Sequence, residues 1–245
     1  MNAVIIIPAR YKSSRFPGKP LVNILGKSLI RRVWEQCIKA IDSSNVFIAT
    51  DDDRIKDHCL LNNMNWISTS ENCLTGTDRV CEAFTRKNFN CDIIVNVQGD
   101  EPLISPDDII TVIKDHKNSS YVSCGYCEIN NEEDFKNPNI IKVVMDYNEN
   151  LLYASRSPIP INKNRQLIKA DKQVCIYAFS MISLMDFNST RKSKLEEIED
   201  IEFLRFLEMG KKVKMVKVSN SSISVDIPED VIKVENVLKG VSNES

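Results

Sequence analysis

Ala3-Val4-Ile5-Ile6-Ile7-Pro8-Ala9-Arg10-Tyr11-Lys12-Ser13-Ser14-Arg15-Phe16-Pro17-Gly18-Lys19-Pro20-Leu21 begins as an apolar run and ends as a cationic loop. Ala3–Ile7 is too short for a buried helix and reads as a buried strand. Val46–Thr50 and Asp92–Val97 read the same way, each bounded by polar or Gly/Pro residues. Helix patterns lie between them at Leu29–Ile41, Asp53–Leu61 and Asp78–Phe84. Leu29, Val33, Cys37 and Ile41 recur every fourth residue and give one apolar stripe. Ser105-Pro106-Asp107-Asp108 supplies an N-cap, a first-position proline and first-turn acids for a helix running to about Lys117. Strands alternating with helices in this way predict an α/β fold, a mainly parallel central sheet covered by helices on both faces.

The rhythm changes after Tyr121. Ile140–Asp146 and Leu151–Ser155 are β-rich runs separated by Tyr147-Asn148-Glu149-Asn150, which predicts a hairpin. Residues 158–171 are polar with two prolines and predict a loop, and Val174–Phe179 another strand. Lys194–Met209 reads as one long helix, with Leu195, Ile198, Ile201, Leu204 and Leu207 on one side and Gly210 as its C-terminal cap. A strand at Lys212–Val218, a short helix after Pro228 and a polar tail at Ser242–Ser245 complete the chain. Its 245 residues suit a single domain, with 125–175 as a β-rich subregion.

Composition excludes several classes. Net charge is −2 and the pI about 5.8, with lysines dispersed, so a nucleic-acid-coating surface is not expected. The first apolar run is too short for a signal segment, and no later stretch approaches the roughly 20 apolar residues of a membrane span. The expectation is a cytoplasmic protein. Eight cysteines are scattered and only Cys124 and Cys127 are close, which predicts reduced thiols rather than structural zinc. The two histidines, His58 and His116, read as surface positions on helices away from any motif, which disfavours Ser–His or Cys–His nucleophilic chemistry.

Chemistry concentrates at the front loop. Ligands of open α/β sheets bind at the carboxyl ends of strands, which is where Arg10, Arg15 and Lys19 emerge. Arginines grip phosphate oxygens in pairs and lysine supplies a compact charge, so three such cations suit a triphosphate. Neither a G-K-[ST] loop nor a G-x-G-x-x-G fingerprint is present. Gln98-Gly99-Asp100-Glu101-Pro102 follows the third strand, where a carboxylate can hold Mg²⁺ against phosphates, although a tight turn also explains it. Asp226, before Pro228, reads either as a helix cap or as a second metal ligand. Thr75-Gly76-Thr77-Asp78-Arg79 opens a helix and offers N–H groups and hydroxyls to a base or phosphate, with capping by Thr77 or Asp78 equally good.

Taken in order, these segments resemble the 3-deoxy-manno-octulosonate cytidylyltransferases. Ile48-Ala49-Thr50-Asp51, Asn137-Pro138-Asn139, Lys142-Val143-Val144, Tyr153-Ala154-Ser155-Arg156-Ser157-Pro158, Leu195-Glu196 with Leu204-Arg205, and Val225-Asp226-Ile227-Pro228-Glu229-Asp230 extend the likeness over nearly the whole chain. The resemblance implies a nucleotide-diphospho-sugar transferase, Rossmann-like fold and a homodimer formed through the β-rich region. It implies that CTP and an acidic keto-deoxy sugar yield a CMP-sugar and pyrophosphate, for lipopolysaccharide or capsule synthesis. Carried over, Arg10, Arg15 and Lys19 meet the triphosphate, Thr75, Gly76, Thr77 and Arg79 hold the nucleotide, and Asp100 and Asp226 hold Mg²⁺. Lys19, Asp100 and Arg15 become the catalytic set, and Gln98, Arg156, Tyr177, Gln173 and Glu202 the acceptor side.

Departures fall on that acceptor side. Gln173 stands where the family places histidine, Glu202-Phe203 replaces Glu-Gln, and Ser222-Ile223-Ser224 replaces a Gly-Thr-Gly. They suggest either drift or an altered acceptor such as an 8-amino derivative. A sialic-acid-type synthetase and a GT-A-like glycosyltransferase are the alternatives. Asp51-Asp52-Asp53 imitates the D-x-D of the latter but reads as an acidic first helical turn.

Overall fold

The computed structural model describes residues 2–13, 15–117, 121–220 and 222–240. Ser14 and the polar tail from Ser242 lie outside them. The chain divides into two compact units, residues 1–110 with 221–245, and residues 111–220.

The first unit begins with strand β1 (Ala3–Ala9), buried at every position. A small ladder of β2 (Asn23–Ile24) and β3 (Lys27–Ser28) leads to α1 (Leu29–Ala40), which Ser28 caps by accepting the Arg31 N–H. Leu29, Ile30, Val33 and Cys37 form its buried stripe. β4 (Val46–Thr50), α2 (Asp53–Leu61), β5 (Trp66–Ser68), α3 (Gly76–Lys87) and β6 (Ile93–Val97) follow. β1 pairs in parallel with β4 and β6, and β4 in parallel with β5. Three of these strands carry the Val/Ile-rich runs expected of a parallel sheet buried on both faces. The expected three strands are therefore present, with the three-residue β5 added.

α4 (Pro106–His116) crosses the division between the units. The second unit holds β7 (Val122–Glu128), α5 (Glu132–Lys136), β8 (Lys142–Met145), β9 (Leu151–Ser155), β10 (Asp171–Phe179), α6 (Met181–Ser189), α7 (Lys194–Glu199), α8 (Leu204–Glu208) and β11 (Val213–Lys217). β10 lies antiparallel to β7 and β8, β8 antiparallel to β9, and β11 parallel to β7. The β8–β9 hairpin turns on Asp146, whose Oδ1 accepts from the N–H groups of Asn148 and Asn150 at 2.8 Å each.

Two expectations fail in this unit. The single helix over Lys194–Met209 is broken at Asp200, which adopts the left-handed conformation (φ 52°), and Ile198 is exposed rather than part of a core stripe. The break lets Arg205 fold back on Glu196, their side chains buried and joined by two contacts of 2.7 Å. Arg205 Nη1 also donates to the carbonyls of Phe187 and Thr190. A buried charge must be paired, and that requirement overrides the helical period. His116 is likewise buried, not on the surface, and contacts Ser123 Oγ at 3.1 Å. Burial lowers its pKa to about 4.

α9 (Pro228–Leu238) returns to the first unit. There Ile24, Leu29, Val225 and Val234 form a buried cluster with Phe16, Val22, Leu103, Ile223 and Val231 against it. That cluster roots both the front loop and the segment carrying Asp226.

Candidate functional site

β1, β4 and β6 run parallel, so the segments that follow them leave their sheet at the same edge. The front loop is closed by Gly18, whose N–H donates to the Tyr11 carbonyl at 2.9 Å. Gly18 has φ +75°, and a Cβ there would stand 3.1 Å from Tyr11 Oη, so this turn needs glycine on two counts. Tyr11 is in turn covered by the Arg54 guanidinium, 3.3 Å from its ring centroid. Phe16 is held by the apolar cluster described above. The turn hands the chain to Lys19.

After β6, Gly99 passes close to the end of β1, where an added Cβ would lie 2.9 Å from the Pro8 carbonyl oxygen and 3.0 Å from Ile30 Cδ1. The Asp100 carbonyl accepts the Val225 N–H at 2.9 Å, which fastens the second aspartate's segment to the first. Glu101 is buried and accepts from Ser222 Oγ. Asp230, and not Asp226, caps the helix that follows. Its Oδ2 accepts the N–H groups of Asp226 and Ile227 at 3.0 and 3.1 Å, doing the capping itself.

Freed from capping, the Asp226 carboxylate turns to the loop cations. Lys19 Nζ lies 3.0 Å from Asp100 Oδ2 and 3.6 Å from Asp226 Oδ1, and Arg15 Nη2 lies 3.0 Å from Asp226 Oδ1. Four residues separated by up to 211 positions in sequence thus meet at one point. The Lys19 side chain is only 16 % exposed. Burial alone would lower its pKa, but Asp100 and Asp226 outweigh that and raise it above the ordinary value, so the ammonium is firmly charged. Asp100 Oδ1 is buried without a hydrogen-bond partner.

A second cluster surrounds the start of α3. Thr75 is the N-cap and Asp78 completes the capping box, so of the two residues weighed as caps from sequence Asp78 takes part from the third helical position and Thr77 does not. Thr77 Oγ1 accepts from Asn96 of β6 at 3.3 Å. Arg79 is fully buried, donating through Nη1 to Thr69 Oγ1 at 2.5 Å and standing 3.0 Å from Asp51 Oδ1. The Asp51 contact is an ion pair off the line of a hydrogen bond. Asp51 is thus set apart from Asp52, which caps α2, and from Asp53 in its first turn. Burial and the neighbouring Arg10 lower the Arg79 pKa, while Asp51 raises it. Arg79 Nε and Nη2 and Arg10 Nη2 are buried without acceptors.

The residues expected on the acceptor side fall in both units. Gln98 follows β6 in the first and is half-buried. Arg156, Gln173, Tyr177 and Glu202 belong to the second. Arg156 donates through Nε, Nη1 and Nη2 to the carbonyls of Glu199, Pro138 and Asp200. Lys142, fully buried, donates to the carbonyls of Asn137, Ile140 and Arg156. Gln173 Nε2 contacts Tyr177 Oη, and Tyr177 packs among Phe179 and Phe203. Burial holds the Tyr177 hydroxyl far above the ordinary phenol range. Sequence reasoning gave no supporting role to Asp51, Asp230, Tyr11 and Lys142, although each lies in a segment quoted above.

A mainly parallel sheet with a cationic loop and Asp100 after its strand ends, and Asp226 brought beside them, is the setting expected of a nucleotidyltransferase. Residues 4–213 match the family model described as Cytidylyltransferase, and the chain belongs to that family. It is 39 % identical over 240 residues to a 3-deoxy-manno-octulosonate cytidylyltransferase of Protochlamydia amoebophila (strain UWE25), covering 95 % of this chain and 93 % of that protein. It is 38 % identical over 242 residues to an 8-amino-3,8-dideoxy-manno-octulosonate cytidylyltransferase of Shewanella baltica (strain OS195), covering 97 % and 99 %. Among solved structures, a CMP:2-keto-3-deoxy-manno-octonic acid synthetase complexed with CTP matches with TM-score 0.87 and 33 % identity, over 98 % of this chain and 99 % of that one. No helix among the described residues is long and apolar enough to cross a membrane.

Proposed function

We propose that this protein transfers the cytidylyl group of CTP to an acidic 2-keto-3-deoxy sugar, Kdo or its 8-amino derivative, releasing pyrophosphate. The observation that carries the reading is Lys19 lying between Asp100 and Asp226, with Arg15 on the same Asp226 oxygen that Lys19 faces. Transfer of this kind calls for charge neutralisation and in-line alignment more than for a covalent intermediate. The site supplies both.

Arg15 and Lys19 hold triphosphate oxygens from the loop, with Arg10 at its root. The unpaired donors of Arg10 and Arg79 support a nucleotide seated beside α3, because buried N–H groups without acceptors are costly and a nucleotide's oxygens would satisfy them. Thr75, Gly76 and Thr77 bring the helix N-terminus to the same place. Asp51 fixes Arg79 from below.

Asp100 and Asp226 would hold Mg²⁺. The donor set fits, since magnesium bound with substrate phosphates takes one or two protein carboxylates, and Asp100 Oδ1 is a buried oxygen without a partner. When bound, the ion neutralises developing charge and acidifies the attacking hydroxyl. On the acceptor side, Gln98, Gln173, Tyr177 and Glu202 are the groups to read the sugar, with Arg156 bracing the 199–200 turn. A homodimer through residues 125–175 in the cytoplasm completes the reading.

Purified protein should release pyrophosphate from CTP, and far less from UTP, only when a keto-deoxy acid sugar is added. Comparable turnover on Kdo and its 8-amino form would leave the acceptor substitutions neutral, whereas a strong preference would assign them to selectivity. Turnover of UTP at the CTP rate, or transfer without pyrophosphate, overturns the proposal.

A further inference from the structure

We propose that the Lys19 ammonium serves as an internal stand-in for the divalent ion, holding the aspartate pair neutralised until a triphosphate draws it away. The inference deepens the proposed function and rests on its assignment of Asp100 and Asp226 as metal ligands.

Both carboxylates are already engaged by protein cations. Lys19 Nζ touches Asp100 Oδ2 and Asp226 Oδ1, at 3.0 and 3.6 Å, and Arg15 Nη2 touches that same Asp226 oxygen at 3.0 Å. An ammonium between two carboxylates occupies the position from which a small cation would bridge them. A divalent ion arriving alone must displace Lys19 or share the site with two positive charges, and repulsion at such separations is strong where the groups are mostly buried. The side chains of Lys19 and Asp226 are 16 % and 13 % exposed.

A triphosphate changes the balance. Its oxygens offer Lys19 and Arg15 alternative anionic partners, and both are long side chains with several rotatable bonds that extend from the loop rather than from the sheet. Lys19 follows Gly18, and the Arg15 side chain is about half exposed. The aspartates have no such freedom. Asp100 sits behind Gly99, wedged on the Pro8 carbonyl, and its own carbonyl is bound by Val225, while Asp226 is fixed through its N–H by Asp230. The cations therefore move and the anions stay. Metal and nucleotide bind with positive coupling, because each removes the obstacle to the other.

The consequence is a site that rejects free metal. Mg²⁺ alone would bind weakly, protecting the enzyme from non-productive occupancy, and the exchange of Lys19 from carboxylate to phosphate would place its charge on the transferring group as the metal enters.

The test measures Mn²⁺ binding without nucleotide, by the free-ion paramagnetic resonance signal, for wild type, Lys19→Met and Lys19→Met/Asp100→Asn. The expected result is an affinity for Mn²⁺ alone that rises roughly tenfold in Lys19→Met, within the usual range of site couplings, and is lost again in the double variant. Arg15→Gln should raise it by a smaller factor, and it carries the same comparison if Lys19→Met gives no cooperative melt. An unchanged or weakened affinity in both Lys19→Met and Arg15→Gln overturns the proposal. Equilibrium dialysis of Mn²⁺ with wild type and Asp100→Asn, each saturated with CTP, separates the two failures. Asp100-dependent Mn²⁺ there, together with no gain in the variants, refutes only the stand-in role. Mn²⁺ retained equally by both proteins refutes the metal assignment itself.

Discussion

Replacing Gly99 by alanine probes the site through its backbone without touching a charge. Glycine is needed there for space, since its φ lies outside the left-handed range. An alanine Cβ would meet the Pro8 carbonyl oxygen at 2.9 Å and Ile30 Cδ1 at 3.0 Å, where ordinary contacts begin at 3.4 Å. About 0.5 Å must be found, the difference between those two values. Pro8 is locked in the ladder between β1 and β4, opposite Ala49, and cannot yield. Ile30 can turn its side chain, so the oxygen contact decides the outcome, and the 98–100 segment has to move. Overpacking of this size costs about 1–3 kcal/mol, or roughly 2–10 °C of melting temperature for a chain of this length. Displacing Asp100 by even part of an ångström should cost more in rate than in stability, about 10- to 100-fold in kcat/KM. Pyrophosphate release measured well below both melting points separates the two effects. A Gly99→Ala protein with wild-type turnover and a melt within a degree of wild type would refute the argument that this turn sets the position of Asp100.

Three further outcomes follow from other contacts. Asp100→Asn should lower Mg²⁺-supported turnover at least about 10²-fold while the protein still melts cooperatively, because Asp226 remains to partner Lys19; substantial residual turnover removes Asp100 from the metal site. Glu196→Ala strands the buried Arg205 charge and should cost about 3–5 kcal/mol in urea unfolding, against less than about 1 kcal/mol if the pair contributes nothing. His116 is neutral in the fold, with its pKa lowered from 6.5 to about 4, whereas the unfolded chain takes up a proton near 6.5. Stability should therefore fall as pH drops from about 6.5 towards 4, and His116→Gln should flatten that part of the melting-temperature profile; parallel profiles would contradict it.

What could be read from the sequence, and what could not, divides along a physical line. β1, β4 and β6 are runs of Val and Ile whose burial on both faces leaves no other reading, and α2 was legible from end to end because Asp52 and Asp53 mark its start. The meeting of Lys19 with Asp100 was legible because their segments follow β1 and β6, whose ends share one edge of a parallel sheet. Asp226 was ambiguous, since capping and metal binding both want an aspartate before a proline, and the capping box that Asp230 forms at the start of α9 removes the first option. The break at Asp200 was invisible. Local helical period favours continuity through residue 209, and the pairing that defeats it joins Glu196 to Arg205 through space. Burial of His116 was hidden for the same reason, as its partner Ser123 lies on the following strand.

The central claim is that a cationic loop and two distant aspartates converge on a metal-bound triphosphate. Crystals grown with CTP and Mn²⁺ test it most directly through the anomalous scattering of manganese. The account predicts a peak within roughly 2.5 Å of carboxylate oxygens of both Asp100 and Asp226, with Lys19 moved onto a phosphate oxygen. A peak away from either aspartate, or a bound triphosphate with Lys19 still bridging the pair, would contradict it.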